Sequence, residues 1–247
     1  MPPGEALPDT FEPRWNVLSD PHVLADVVSA HILESARKAI LRHGVFRIVL
    51  AGGGTPEAVY SQLAGATADW SRWQVYFGDE RCLPAGHPDR NSTMADERWL
   101  GRVALPAENV HVIAAEAGAE AAAQAYTPIV AGALPFDLVL LGMGEDGHTA
   151  SLFPGQVHAA GRAVLPVHDA PKPPADRVSL GEAALNDAHE VLVMIAGRSK
   201  QEAVQRWRAG ADLPVTRIHG HHGVDVYLDR AADTAGPGQG GTTEESE

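Results

Sequence analysis

A chain of 247 residues with 45% hydrophobic content can bury a core without staples, and its single cysteine, Cys82, excludes an intramolecular disulfide framework and a cysteine-rich metal site. A net charge of −13 disfavours nucleic-acid binding, which calls for a basic face, so any anionic ligand must be held by a few placed cations and backbone N–H groups. Met1 to Pro13 has neither the basic start nor the apolar run of a signal peptide, and no apolar run approaches the roughly 20 residues of a membrane helix; the expectation is a cytoplasmic protein without membrane contact.

From the N-terminus, residues 1–19 read as a loose arm. Asp20-Pro21 opens a helix running to about His43, with Asp20 as N-cap, Gly44 as C-cap, and Val23, Val27, Ala30, Leu33 and Ile40 along its apolar face. Val45–Ala51 reads as a buried strand, followed by Gly52-Gly53-Gly54 and a helix capped by Thr55-Pro56 that ends near Gly65. Gln74–Phe77 is a strand leading into a polar loop, Gly78–Asn91. Ser92–Leu100 reads as helix, Asn109–Ile113 as strand and Glu116–Ala131 as an alanine-rich helix. Phe136–Leu141 is the clearest buried strand, and the proline- and glycine-rich chain beyond it holds one short strand, Ala163–Val167. Arg177–Leu180, Val191–Ile195 and Asp225–Leu228 read as strands, Glu182–Ala188 and Arg198–Ala209 as helices, and residues 231–247 as a disordered tail. This alternation predicts a single α/β domain over residues 20–230, a mostly parallel sheet with helices on both faces. Its ligand should lie at the carboxyl ends of the strands, near a switch point.

Four polar clusters fall at such strand ends. Gly52-Gly53-Gly54-Thr55-Pro56 joins a strand to a helix N-terminus, where backbone N–H groups and the dipole suit a phosphate; the alternative is a tight turn without a ligand. No Gly-Lys-Ser/Thr follows, so it is not a nucleotide P-loop. In Gly78-Asp79-Glu80-Arg81, Arg81 suits bidentate phosphate contact, while Glu80 reads as part of a solvated charged loop. Gly142, Gly144 and Gly147 match a dinucleotide fingerprint, but they follow a late strand and proline-rich chain replaces the required helix. His148 stands at the end of that loop, two residues after Asp146, and histidine is the natural base near neutral pH; the alternative is a structural histidine. Arg177 opens a strand and Lys200, one of only three lysines, sits in a first helical turn where a cation opposes the dipole; both are candidate anion contacts or plain surface cations. His219, His221, His222 and Asp225 match no zinc spacing, and no Gly-x-Ser-x-Gly elbow is present, so no metal or cofactor is expected.

The stretch LGMGEDGHTASLFPG closely resembles the signature of the glucosamine-6-phosphate isomerase/6-phosphogluconolactonase family, on its lactonase side. AGGGTPEAVY resembles that family's first phosphate loop, FGDERCLPAGHPDRNSTMA its second conserved segment, and RVSL with LNDAHEVLVMIAGRSKQEAV its C-terminal one, in order from about residue 20 to residue 231. The resemblance implies a Rossmann-like fold shared with glucosamine-6-phosphate deaminases and metal-free hydrolysis of 6-phospho-D-glucono-1,5-lactone. The histidine would activate water, with Asp146 orienting it, in a monomer or homodimer. Carried onto this chain, His148 is the base, and Gly53, Gly54, Thr55, Asp79, Arg81, Gly144, Arg177 and Lys200 contact the sugar phosphate. Backbone N–H groups of the Gly142–Gly147 loop are candidates for the oxyanion. Two departures stand out: GGGTP replaces GGSTP, and Gly181-Glu182 replaces a Thr-x-Pro neighbourhood. In the deaminases the corresponding loop ends in a glutamate that partners the histidine, and here that place holds Phe153. The rival readings are a deaminase-like isomerase and a non-catalytic sugar-phosphate sensor, although no basic region or helix-turn-helix accompanies it.

Overall fold

Runs of valine, isoleucine and leucine, apolar on both faces, form strands that helices cover, the pattern of a parallel sheet. The computed structural model describes residues 12–157 and 161–233. In chain order the elements are β1 (Arg14–Leu18), α1 (Pro21–His43), β2 (Phe46–Leu50), α2 (Gly54–Leu63), β3 (Trp73–Phe77), β4 (Asp79–Arg81), α3 (Asn91–Arg98), β5 (Val110–His111), α4 (Ala119–Ala131), β6 (Phe136–Gly142), β7 (Val164–Val167), β8 (Arg177–Leu180), α5 (Glu182–Asn186), β9 (Ala188–Ile195), α6 (Gln201–Arg208) and β10 (Val224–Asp229).

Seven strands form one sheet in the order β1-β10-β9-β6-β2-β3-β5, and every neighbouring pair is parallel. After β2 the chain builds outward through β3 and β5, then returns to the other side of β2 with β6 and continues through β9 and β10. The direction of building therefore reverses between β2 and β6, and a crevice at their carboxyl ends is where such a fold places a ligand. A second sheet, β4-β8-β7, is antiparallel and stands beside that crevice. Among the described residues no helix is long and apolar enough to cross a membrane.

Helix α1 begins and ends as its sequence predicts. The Asp20 carboxylate accepts from the N–H groups of His22 and Val23, and Gly44 closes the helix in the left-handed conformation at φ 84°. Its buried face differs from the predicted one: Leu24, Val28, Ile32, Ala36 and Ala39 face the core together with Ser29 and Ser35, while Val23 is exposed. Ser29 donates to the helix's own Asp26 carbonyl and Ser35 to Glu190, so polar residues occupy a face that an apolar pattern cannot mark.

The expected arm over residues 1–19 contains strand β1, at the sheet edge. An edge strand carries a weak apolar pattern, and this one is fixed by side chains: Arg14 pairs with Asp225 at 2.8 and 2.7 Å, and Trp15 packs edge-on against Trp207 at 5.0 Å. The first eleven residues lie outside the described ones, as does the predicted tail from residue 234; within that tail, Ala232 is buried and donates to Asp229.

Glu190 on β9 ties α1 to the sheet, accepting from Ser35 Oγ at 2.7 Å and bonding His31 Nε2 at 3.0 Å. Burial works to raise its pKa, yet the hydrogen bonds from His31 and Ser35 and the charges of His31 and Lys38 hold it below the ordinary 4.5. A carboxylate with a lowered folded pKa adds stability above its unfolded pKa and loses it as pH falls through the folded value. Glu190→Gln should therefore destabilise the protein at neutral pH, and the gap from wild type should close as pH drops below that ordinary value; urea unfolding across the acid range measures it. A gap independent of pH would contradict the linkage.

Candidate active site

The loops after β2, β6 and β9 and the edge of the small sheet enclose a cleft of ≈ 420 Å³ at the switch point. Of the residues expected to act, Gly53, Gly54, Thr55, Asp79, Arg81, Gly144, His148, Arg177 and Lys200 all line it. Asp146 does not line it but holds His148. Phe153, noted from the sequence as standing in the place of a deaminase glutamate, also lines the cleft, as do Asn91 and Lys172, which the sequence did not mark as site residues.

His148 Nδ1 lies 2.5 Å from Asp146 Oδ1, and the His148 backbone N–H donates to the same oxygen at 3.1 Å. Partial burial works to raise the Asp146 pKa, but the His148 N–H, the imidazole charge and the side-chain hydrogen bond together hold it low. An ionised carboxylate only accepts, so Nδ1 carries the proton and Nε2 of the neutral ring is the basic nitrogen. The ring packs against Phe153 at 4.8 Å between centroids. A Cβ at Gly144 would overlap Nδ1 and Cε1 of the imidazole and stand 2.6 Å from Asp146 Oδ1, so the pair occupies the space that glycine leaves. Two of the loop's N–H groups are committed within the loop, so they are not open as oxyanion donors: Gly144 N–H donates to His148 O at 2.8 Å and Gly147 N–H to Gly144 O at 3.1 Å.

Thr55 is not the cap of α2. Gly53, at φ 105°, holds that position, and no side chain bonds the first turn. The positive end of the helix therefore faces the cleft uncapped, as an anion site requires. Across it, Arg81 on β4 and Arg177 on β8 are directly opposite in the antiparallel register. Like charges in that position repel, and the charge of Arg81 works, after burial, toward lowering the Arg177 pKa. Arg81 Nη1 donates to Asp89 O at 2.7 Å, while its buried Nε has no partner. Burial, ahead of the opposing attraction of Asp79 and the repulsion of Arg81, lowers the Arg177 pKa. Burial is also the main cause lowering Lys200.

The two carboxylates before Arg81 have separate duties. Glu80 is wholly buried, not part of a solvated loop. Its oxygens accept from the N–H groups of Arg81, Asn91 and Ser92 at 2.9, 2.8 and 2.9 Å, which caps α3, and they pair with buried Arg90 at 3.4 Å. Asp79 accepts from Ser151 Oγ at 2.6 Å and Asn91 Nδ2 at 3.0 Å, tying the histidine loop to β4; burial pushes its pKa up. The histidines near the C-terminus are elsewhere. His221 pairs with Asp187 at 3.1 Å and meets His189 edge-on, while His222 stacks on His189, at the amino end of β9 and away from the cleft.

Residues 19–227 match the family model of glucosamine-6-phosphate isomerases/6-phosphogluconolactonase. The chain belongs to this family. Among the family's members, the 6-phosphogluconolactonase of Streptomyces coelicolor is 37% identical over 243 residues, covering 89% of this chain and 93% of its own. The crystal structure of 6-phosphogluconolactonase from Thermotoga maritima superposes with a TM-score of 0.83 at 29% identity, over 89% of this chain and all of that one. The Trypanosoma brucei 6-phosphogluconolactonase gives 0.80 at 28% identity, over 90% and 98%. The mostly parallel sheet is thus the isomerase/lactonase family fold, and its switch-point crevice holds the cluster around His148.

Proposed function

We propose that the chain hydrolyses 6-phospho-D-glucono-1,5-lactone to 6-phosphogluconate in the pentose phosphate pathway of the cytoplasm, with His148 as general base. The observation that carries this reading is the Asp146–His148 pair set into a cleft rimmed by cations and by the uncapped start of α2. The phosphate is held by Arg81, Lys200 and the N–H groups at Gly53–Thr55, which brings the lactone carbonyl to His148. Nε2 takes a proton from water as its oxygen bonds to C1, and the carbonyl electrons move to the oxygen. Collapse of that oxyanion breaks the bond from C1 to the ring oxygen, which recovers the proton from Nε2 and leaves as a hydroxyl. The new carboxylic acid then ionises. Asp146, held ionised, steadies the transient imidazolium.

A coupled assay with freshly made lactone, corrected for spontaneous hydrolysis, tests the reading; hydrolysis no faster than that background would end it. Phe153 beside His148 supports a lactonase over a deaminase, because no carboxylate occupies that place. Ammonia release from glucosamine 6-phosphate at enzymatic rates would reverse that preference. Arg81→Ala should raise KM by about 10- to 150-fold, the equivalent of the ~1.5–3 kcal/mol of a charge-assisted contact. The preference over unphosphorylated gluconolactone should shrink with it, and equal kcat/KM for the two lactones in wild type would remove the phosphate from recognition.

A further inference from the structure

The loop between β7 and β8 is exposed chain built largely of alanine and proline, yet it is fastened at several points. Ala170 N–H donates to Ala175 O at 3.0 Å across its base, His168 Nδ1 bonds Asp176 Oδ1 at 2.7 Å, and Cys82 N–H donates to Asp176 O at 3.1 Å. From within, the Arg177 guanidinium grips its tip: Nε donates to Pro174 O at 3.2 Å, and Nη2 to Lys172 O at 2.9 Å and Pro173 O at 3.5 Å. Arg177 is 7% exposed and lies over the Phe153 ring, 5.6 Å from its centroid. Two of its nitrogens are therefore committed to loop carbonyls rather than turned to a ligand. The tip they hold, Lys172-Pro173, lines the cleft.

Loops without secondary structure are usually mobile. Here a proline-rich tip held by a buried arginine has little backbone freedom left to lose, and a loop fixed beforehand binds more tightly than one that must be ordered. The loop also brings a fourth cation to a cleft already lined by Arg81, Arg177 and Lys200 in a protein of net charge −13. Lys172 is close enough to Lys200 to work, after burial, toward lowering its pKa. Gathering like charges in one cleft costs energy until an anion enters.

We propose that Lys172 is a binding residue for the phosphate end of the substrate, and that Arg177 is a positioning residue that delivers it. The proposal rests on the lactonase reading above. Lys172→Ala should raise KM for the phosphorylated lactone by about tenfold, as expected for one lost charge contact, with any fall in kcat several-fold smaller. It should lower the preference over unphosphorylated gluconolactone by the same factor, and Lys172→Arg should restore it. Arg177→Lys keeps the charge but loses the planar fork, so it should raise KM similarly. The Lys172→Ala/Arg177→Lys double variant should be no worse than the poorer single one, because Arg177 acts through Lys172. An unchanged KM in Lys172→Ala overturns the proposal, and so do KM effects that multiply in the double variant, which would make Arg177 an independent ligand. Should Arg177→Lys not fold, Lys172→Ala and its rescue by arginine still decide the outcome, since Lys172 is exposed. Failure of the lactonase reading would show separately, as a wild-type protein that does not hydrolyse the lactone. Calorimetric titration with inorganic phosphate would then decide: about tenfold weaker binding to Lys172→Ala is expected, and equal binding refutes the role.

Discussion

His148→Asn is expected to lower kcat by about 10²–10⁴-fold with little change in KM, the usual contribution of a general base. Asparagine roughly preserves the size of the side chain, and its amide can still donate to Asp146, so the cleft and its cations stay in place. The lost element is the basic Nε2, which in the wild type takes the water's proton while Nδ1 is fixed on Asp146 at 2.5 Å. At ~1.4 kcal/mol per tenfold, the loss corresponds to about 3–5 kcal/mol of transition-state stabilisation. The pH profile separates the two members of the pair. Only neutral imidazole accepts a proton, so wild-type kcat should fall on the acid side. Asp146 does not supply that limb, because it is held below the ordinary carboxylate range. His148→Asn should lose the limb together with the rate. A variant that keeps more than about a tenth of wild-type kcat, outside the range for a lost base, would remove His148 from the role. Asp146 would then be the leading candidate.

The main sheet, apart from edge strand β1, was legible because its strands are apolar on both faces, and the runs 48–50 of β2, 138–141 of β6 and 191–195 of β9 carry that signal. The small sheet was half legible. β7 and β8 read as strands, but β4 consists of Asp79, Glu80 and Arg81, residues without strand propensity. Pairing with β8 and the burial of both carboxylates hold it, and those are tertiary effects. The same reason hid Glu80, whose partners are N–H groups of Asn91 and Ser92 that nothing local brings near. Thr55 before a proline looks like a cap, yet Gly53 occupies that position and the helix start stays open to the cleft. Among the candidate site residues, those next to strand ends were found, since chain connectivity places them. Lys172 was not, because it reaches the cleft only through a loop folded back onto Arg177. The available signal was its rarity: it is one of only three lysines, five residues before a buried arginine.

Gly144→Ala should cost nearly as much activity as losing the histidine itself, although it removes no reactive group. Gly144 has no left-handed backbone, unlike Gly147 at φ 88°, so alanine meets no conformational barrier there. The added methyl instead overlaps the imidazole at Nδ1 and Cε1 and crowds the Asp146 carboxylate. The ring and the carboxylate are 22% and 44% exposed, so both can swing toward solvent, and the fold gives way at the pair rather than in the core. Overpacking a closed core typically costs about 1–3 kcal/mol, and this site should fall at or below the low end of that range. The expected result is a Tm close to wild type, a KM changed only modestly, and a kcat down by about 10²-fold or more, as for a lost base. Gly147→Ala supplies the contrast, because it adds an unfavourable φ to a contact of 2.8 Å with Leu213 and should lower Tm as well. Combining Gly144→Ala with His148→Asn distinguishes displacement from a separate effect. If the methyl acts only by moving the base, the double variant is no slower than His148→Asn alone, since a base already absent cannot be misplaced. A double variant slower by a further factor of about ten would mean that Gly144 contributes to the transition state on its own account.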